Sequence, residues 1–188
     1  SYGFFHKTVC VETDTVERGG LIYLPNKTKP FSGKNLCKYE NGQNKSEGKV
    51  KDGKIDGTYT QWHENGKLWM EVIFIDGLAE GITKLWSSNG QKLEEGNYKD
   101  GKIDGKLTWW HENGQKEAEG DYKDGRKEGK FTEWYENGQK KLEGHYETNR
   151  AEGKWTEWDE NGRIMEEQYY KMGELKDWKI TTIRKLSD

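Results

Sequence analysis

The sequence predicts an all-β protein: an elongated repeat array of antiparallel β-hairpins, a meander solenoid with two strands in every 24-residue repeat. Three sets of columns predict it. Asn-Gly recurs at 41–42, 65–66, 89–90, 113–114, 137–138 and 161–162, which sets Gly66, Gly90, Gly114, Gly138 and Gly162 in phase. Trp62, Trp86, Trp110, Trp134 and Trp158 keep the same step, as do Phe74, Tyr98, Tyr122, Tyr146 and Tyr170. Glu47, Glu71, Glu95, Glu119, Glu143 and Glu167 form a further column, with no insertion anywhere.

Taken in order, residues 1–17 lie outside the period and read as an N-terminal arm or edge strand. Residues 18–173 form about six repeats, the first degenerate, because Phe31-Ser-Gly33 and Tyr39-Glu-Asn-Gly42 keep the phase. In the clearest copy, Asn137-Gly138 between segments rich in Thr and aromatics predicts a two-residue type I′ turn. That turn pairs Lys130–Glu136 with Gln139–Glu147. Counting outward sets Glu136 opposite Gln139, Trp134 opposite Lys141, Thr132 opposite Glu143 and Phe131 opposite Gly144. The same count sets Leu107 opposite Gly120 and Trp155 opposite Gln168. A large side chain over a cross-strand glycine shields bare backbone, and Thr offers its hydroxyl to Glu. Asp124-Gly125 to Gly129 reads as a second, wider turn. Trp134 and Tyr146 fall on opposite faces, so the sheet has to twist or fold over to shelter both. Residues 174–188 lose the glycines and gain Trp178, Ile180 and Ile183, as a closing strand should.

Composition bounds the function. The 188 residues carry 31 Lys+Arg against 34 Asp+Glu, a net charge of −3, which argues against a nucleic-acid binder. Charged residues reach 35%, a share typical of disorder, but 9 Trp and 10 Tyr supply apolar surface that disordered tails lack. No apolar run of about 18 residues is present for a membrane-spanning helix. Cys10 and Cys37 are either one disulfide in an oxidising compartment or two free thiols. The chain begins with Ser1, so a removed signal peptide is one reading, and export to the cell surface or medium is the expectation.

The Tyr122-x-x-Gly125-x-x-x-Gly129 and Glu136-Asn-Gly138 columns resemble the variant class of MORN repeats. These β-hairpin repeats occur in many bacterial proteins, including exported 24-residue repeat proteins and some labelled antitoxins. The resemblance covers residues 18–173. It implies a non-catalytic scaffold or recognition surface, sometimes linked with membranes. One departure stands out: Gly129-Lys-Phe131 replaces the Gly-x-Gly of the standard repeat, so lipid-related expectations transfer poorly. No residue supports the antitoxin label.

Sites of chemistry are few. Asp52-Gly-Lys-Ile-Asp-Gly57 and Asp100-Gly-Lys-Ile-Asp-Gly105 begin like calcium loops, but Lys54 and Lys102 stand where an oxygen ligand is needed. His63 and His111 stand where the loop's closing Glu belongs. They share one column two repeats, ~19 Å, apart, too far for one metal, and read as surface-strand residues. His6 and His145 have no matching partners. The repeated Glu column is a pairing device rather than a catalytic pair, so no enzyme, metal or cofactor is expected. The third repeat breaks the pattern with Trp69, Met70, Val72, Ile73 and Ile75, followed by Ile82 and Leu85, and Trp109 stands beside Trp110. Two readings are open: a locally better core, or a patch for a protein partner or self-association. The resulting expectation is a recognition scaffold. A carbohydrate surface through the Trp and Tyr rows is the first alternative, and peripheral membrane attachment, disfavoured by the −3 charge, the second.

Overall fold

The computed structural model describes residues 7–180, which fall into two compact units. The first holds the described residues up to Lys92 together with Tyr98–Gly101; the second holds Leu93–Asn97 and the residues from Lys102 onward. Ile183 of the closing segment and His6 lie outside the described residues.

The first unit contains β1 (Thr8–Val9), α1 (Val11–Asp14), β2 (Val16–Arg18), β3 (Leu21–Tyr23), β4 (Gly33–Lys38), β5 (Asn44–Lys51), β6 (Lys54–Ile55), β7 (Gly57–Trp62), β8 (Leu68–Ile75) and β9 (Leu78–Trp86). Its sheet runs β1-β4-β5-β7-β8-β9, with β6 on β5 and β2–β3 as a separate hairpin. β1 joins β4 in parallel, and the other pairs are antiparallel. A Cys10–Cys37 disulfide ties the N-terminal segment to β4 and resolves the cysteines as a bridge. Beside it Val9, Phe31 and Val50 make a small buried core.

β10 (Lys92–Lys99) contributes its residues 93–97 to the second unit. Then follow β11 (Lys102–Trp110), β12 (Lys116–Lys123), β13 (Arg126–Trp134), β14 (Lys140–Glu147), β15 (Arg150–Trp158), β16 (Ile164–Lys171) and β17 (Glu174–Ile180). From β11 to β17 each strand is antiparallel to its sequence neighbour. The fold is an all-β array of sequential hairpins, two strands to a repeat.

The two turn types are the reverse of the sequence expectation. At Asn137-Gly138 only the glycine has positive φ (81°), the amide of Gly138 donates to Tyr135 O, and Tyr135 N donates to Gln139 O. This is a three-residue loop, a type I turn closed by a glycine bulge. The two-residue type I′ turn is Asp124-Gly125, with φ of 49° and 80°. β13 therefore begins at Arg126, and residues 126–129 are strand rather than wide turn. Two irregularities follow. Lys141 is an extra residue on β14, so Trp134 faces Lys140 instead of Lys141. Around Gly129, β13 sets Glu128–Lys130 against the single Asp121 of β12.

Away from the bulges the register is the expected one: Phe131 opposite Gly144, Thr132 opposite Glu143, Leu107 opposite Gly120 and Trp155 opposite Gln168. Alternation along the strands then defines two faces. A glycine face carries Leu107, Phe131 and Trp155, all buried, with Tyr146 set edge-on to Trp155 at 4.9 Å between ring centres. A threonine face carries Thr108, Thr132 and Thr156, also buried, beneath glutamates that lysines hold in place. β17 slips by one residue so that Trp178, rather than Lys179, stands opposite Gln168.

Candidate interaction face

Within each unit the regular spacing of turns is held by hydrogen bonds from one repeat to the next. Along the rim of Asn-Gly turns, Asn41, Asn65, Asn113 and Asn137 each donate Nδ2 to a carbonyl of the following turn, at Glu64, Ser88, Glu136 and Glu160. Two residues upstream, Tyr39 and Tyr135 donate their hydroxyls to the Trp62 and Trp158 carbonyls at 2.7 Å. His63 and His111 fill the same column, and their Nε2–H reaches the Trp86 and Trp134 carbonyls at 2.8 and 2.9 Å. These histidines are struts between repeats, not loose surface residues.

The opposite rim has its own ladder. Asp56, Glu80, Asp104, Glu128 and Glu152 each accept from the backbone N–H that opens the next type I′ turn. The aspartates that begin like calcium ligands are thus turn residues: Asp52 and Asp100 adopt positive φ, and Asp56 and Asp104 cap their neighbours. Among the described residues no group of three His, Cys, Asp or Glu is placed to hold a metal ion.

With the rims committed, the broad faces remain. In the second unit the threonine face neutralises itself. Lys106 and Lys116 reach Glu119 at 2.8 and 2.5 Å; Lys130 and Lys140 reach Glu143 at 2.9 and 2.6 Å; Lys154 pairs with Glu167. Burial pushes the Glu119 and Glu143 carboxyls up, but the lysine hydrogen bonds outweigh it and leave both below the ordinary 4.5. Because the folded-state values are lowered, this support is fully present above the ordinary 4.5 and is lost as pH falls through the lowered values.

The first unit differs in the same columns. Ile73, Ile75, Leu78 and Ile82 lie on its threonine face and are 44–55% exposed. The matching positions of the second unit carry Asp121, Lys123, Arg126 and Lys130. Adjacent residues divide between faces: Val72 turns inward and is 4% exposed, while Met70 and Leu85 pair with each other on the glycine face, half-buried. Trp69 is the extra residue of the bulge beside the Asn65-Gly66 turn; it is 40% exposed and leans on the His63 ring. Trp109 belongs to the second unit, where its Nε1 donates to Glu94 and its ring meets Tyr122 edge-on. The structure therefore gathers Ile73, Ile75 and Ile82 into one patch and leaves Met70, Leu85 and Trp109 out of it. Leu78, opposite Ile75, joins the patch; its column is charged in the later repeats, which is the signal that marks it.

A family model described as MORN repeat variant matches residues 55–76, 79–100, 103–124, 127–148 and 151–172. The chain belongs to this MORN repeat variant family. Each matched MORN segment is one Asn-Gly hairpin, and successive MORN segments are joined by the type I′ turns. The β4–β5 hairpin precedes the matched region yet closes in the same way, with Tyr39 N donating to Gln43 O and Gly42 N to Tyr39 O. No curated protein matches the chain. Among the described residues no helix is long and apolar enough to cross a membrane. In the Trp column of the MORN hairpins, Lys116 Nζ stands 5.7 Å over Trp134 and Lys140 Nζ 5.8 Å over Trp158, on ring faces that a stacked sugar would need.

Proposed function

We propose that this chain is a non-enzymatic, exported scaffold whose first unit presents an apolar β face to another protein. MORN repeats as a class point to a repeat-based protein-interaction or membrane-associated scaffold, and the protein-binding form is the one argued here. The observation that carries it is the exposed Ile73, Ile75, Leu78 and Ile82 patch on a face that elsewhere carries charge. Isolated exposed apolar residues are ordinary, but a contiguous group on a flat face is characteristic of contact surfaces. Export is supported by the Cys10–Cys37 bridge, since such bridges persist in oxidising compartments.

The test compares the native chain with an Ile73→Ser, Ile82→Ser variant, both positions being exposed enough that the fold should lose less than ~1 kcal/mol. Sedimentation should report loss of self-association, or cross-linking in native extract loss of a partner band, while circular dichroism stays unchanged. A variant that keeps every contact of the native chain removes the support for this reading.

A further inference from the structure

The charges around the patch specify what it would bind. Resting on the scaffold reading above, we infer that the first unit docks an acidic partner segment with apolar anchors. One repeat ahead of Ile73, Ile75 and Leu78, the same columns hold Lys49, Lys51 and Lys54. Ile73 stands opposite Thr58 of β7, and β7 pairs with β5, so the lysine row lies about two strand spacings, ~10 Å, from the isoleucine row on the same face.

Lys34 is held by Glu47 at 2.6 Å and Lys45 by Glu12, whereas among the described residues Lys49, Lys51 and Lys54 form no ion pair. Of the acids on this face, Glu47 is held by Lys34 and Glu80 accepts from the Asp100 amide at 3.0 Å, while Glu71 faces Lys84 in the strand register. In the second unit Lys106, Lys130 and Lys154 of the threonine face each have a cross-strand glutamate. Beside the lysine row, over β1, β4, β5 and β7, lies a trough of about 540 Å³ lined by Thr8, Lys34, Glu47, Lys49, Thr58 and Thr60.

A partner covering the isoleucines has to come down beside these ammonium groups. A basic segment meets like charge there, and a neutral one strips water from the lysines without replacing it. Carboxylates beside the lysines restore charge-assisted hydrogen bonds while the apolar anchors cover the patch.

The experiment uses the whole chain and two short synthetic peptides, one alternating Leu and Phe with Asp and Glu, the other with Lys and Arg in place of the acids. Fluorescence anisotropy at low and raised salt gives the affinities, and vesicles containing phosphatidylglycerol serve as a lipid control. The acidic peptide should bind at least ~10-fold tighter than the basic one and weaken with salt. Lys49→Glu with Lys51→Glu should reverse that preference, which an unfolded variant would not do, and Ile73→Ser with Ile75→Ser should abolish binding of the acidic peptide. Equal binding of both peptides, or an unchanged preference in the double Lys variant, overturns the inference. So does binding to the vesicles alone, which makes the occupant a membrane. If the peptides fail while Ile73→Ser, Ile82→Ser still removes a cross-linked partner, the charge assignment falls and the scaffold reading stands.

Discussion

A Cβ built on Gly144 would come within 2.1 Å of the Trp155 ring, and one on Gly120 within 2.8 Å of Phe131. Glycine is needed at these sites for the room it leaves, because the ring from the next strand lies flat on the backbone. One repeat reverses the division of volume: Val72 takes the glycine's place and Thr83 the ring's, and both are buried. What the array conserves is the sum of the two side chains across the strand pair. Gly144→Val alone should therefore overpack and destabilise the protein by ~1–3 kcal/mol. Trp155→Thr alone should cost more, ~3–5 kcal/mol, because the ring also packs on Phe131, Tyr146 and Tyr170. Together they rebuild the Val72–Thr83 arrangement, so denaturant unfolding should show a favourable coupling of at least ~1 kcal/mol. Strict additivity would mean that the two side chains do not compete for one space.

The turns, as elements, show where sequence reading succeeds and where it stops. Asn137-Gly138 and Asp124-Gly125 both tolerate positive φ, so composition alone does not say which is the two-residue turn. The distinguishing contacts are nonlocal: Asn137, which is not at positive φ, donates to Glu160 of the next repeat, and Glu128 caps the amide of Thr148. The Thr132–Glu143 and Phe131–Gly144 pairs were legible because alternation and a common period determine them. The Trp134 partner was missed by one because a bulge leaves no trace in a count. Ile73 and Met70 look alike in sequence, but strand alternation sends them to opposite faces, which explains why Met70 and Leu85 of the expected patch are packing. Two of the type I′ turns between repeats depart from Asp-Gly: Met172-Gly173, and Thr148-Asn149 with φ of 50° and 65°, where a β-branched residue takes a conformation it disfavours. Thr148→Asn with Asn149→Gly should stabilise the second unit by ~1 kcal/mol, read as a raised denaturation midpoint at unchanged slope. A loss of stability would show that the Thr148 side chain, through its 3.5 Å contact with Glu128, contributes more than its backbone costs.

For the molecule as a whole, stability is carried by neighbours. Within each unit a hairpin rests on the next through paired strands and through the two rim ladders, so disruption should stay near its origin. The Cys10–Cys37 bridge allows that to be tested at one end. The sequence left its state open because a separation of 27 residues says nothing of the 4.5 Å between the two Cα atoms. Closing such a loop contributes ~3.5 kcal/mol in the chain-entropy account. Without the bridge, the described N-terminal segment is held by the short pairing of β1 on β4 with the bond from Lys34 N to Lys7 O, by Val9 and Val11 at the small core, by the bond from Val11 N to Asn35 and by the exposed Glu12–Lys45 pair. Reduction, or Cys10→Ser, should therefore free residues 8–14 and loosen β4. In hydrogen exchange those amides should lose protection by ~100-fold or more, which corresponds to ~2.7 kcal/mol at 25 °C, while β13 to β16 keep theirs. Equal loss of protection in all strands would mean that the chain unfolds as one cooperative body, and stability could no longer be treated as a sum over adjacent repeats.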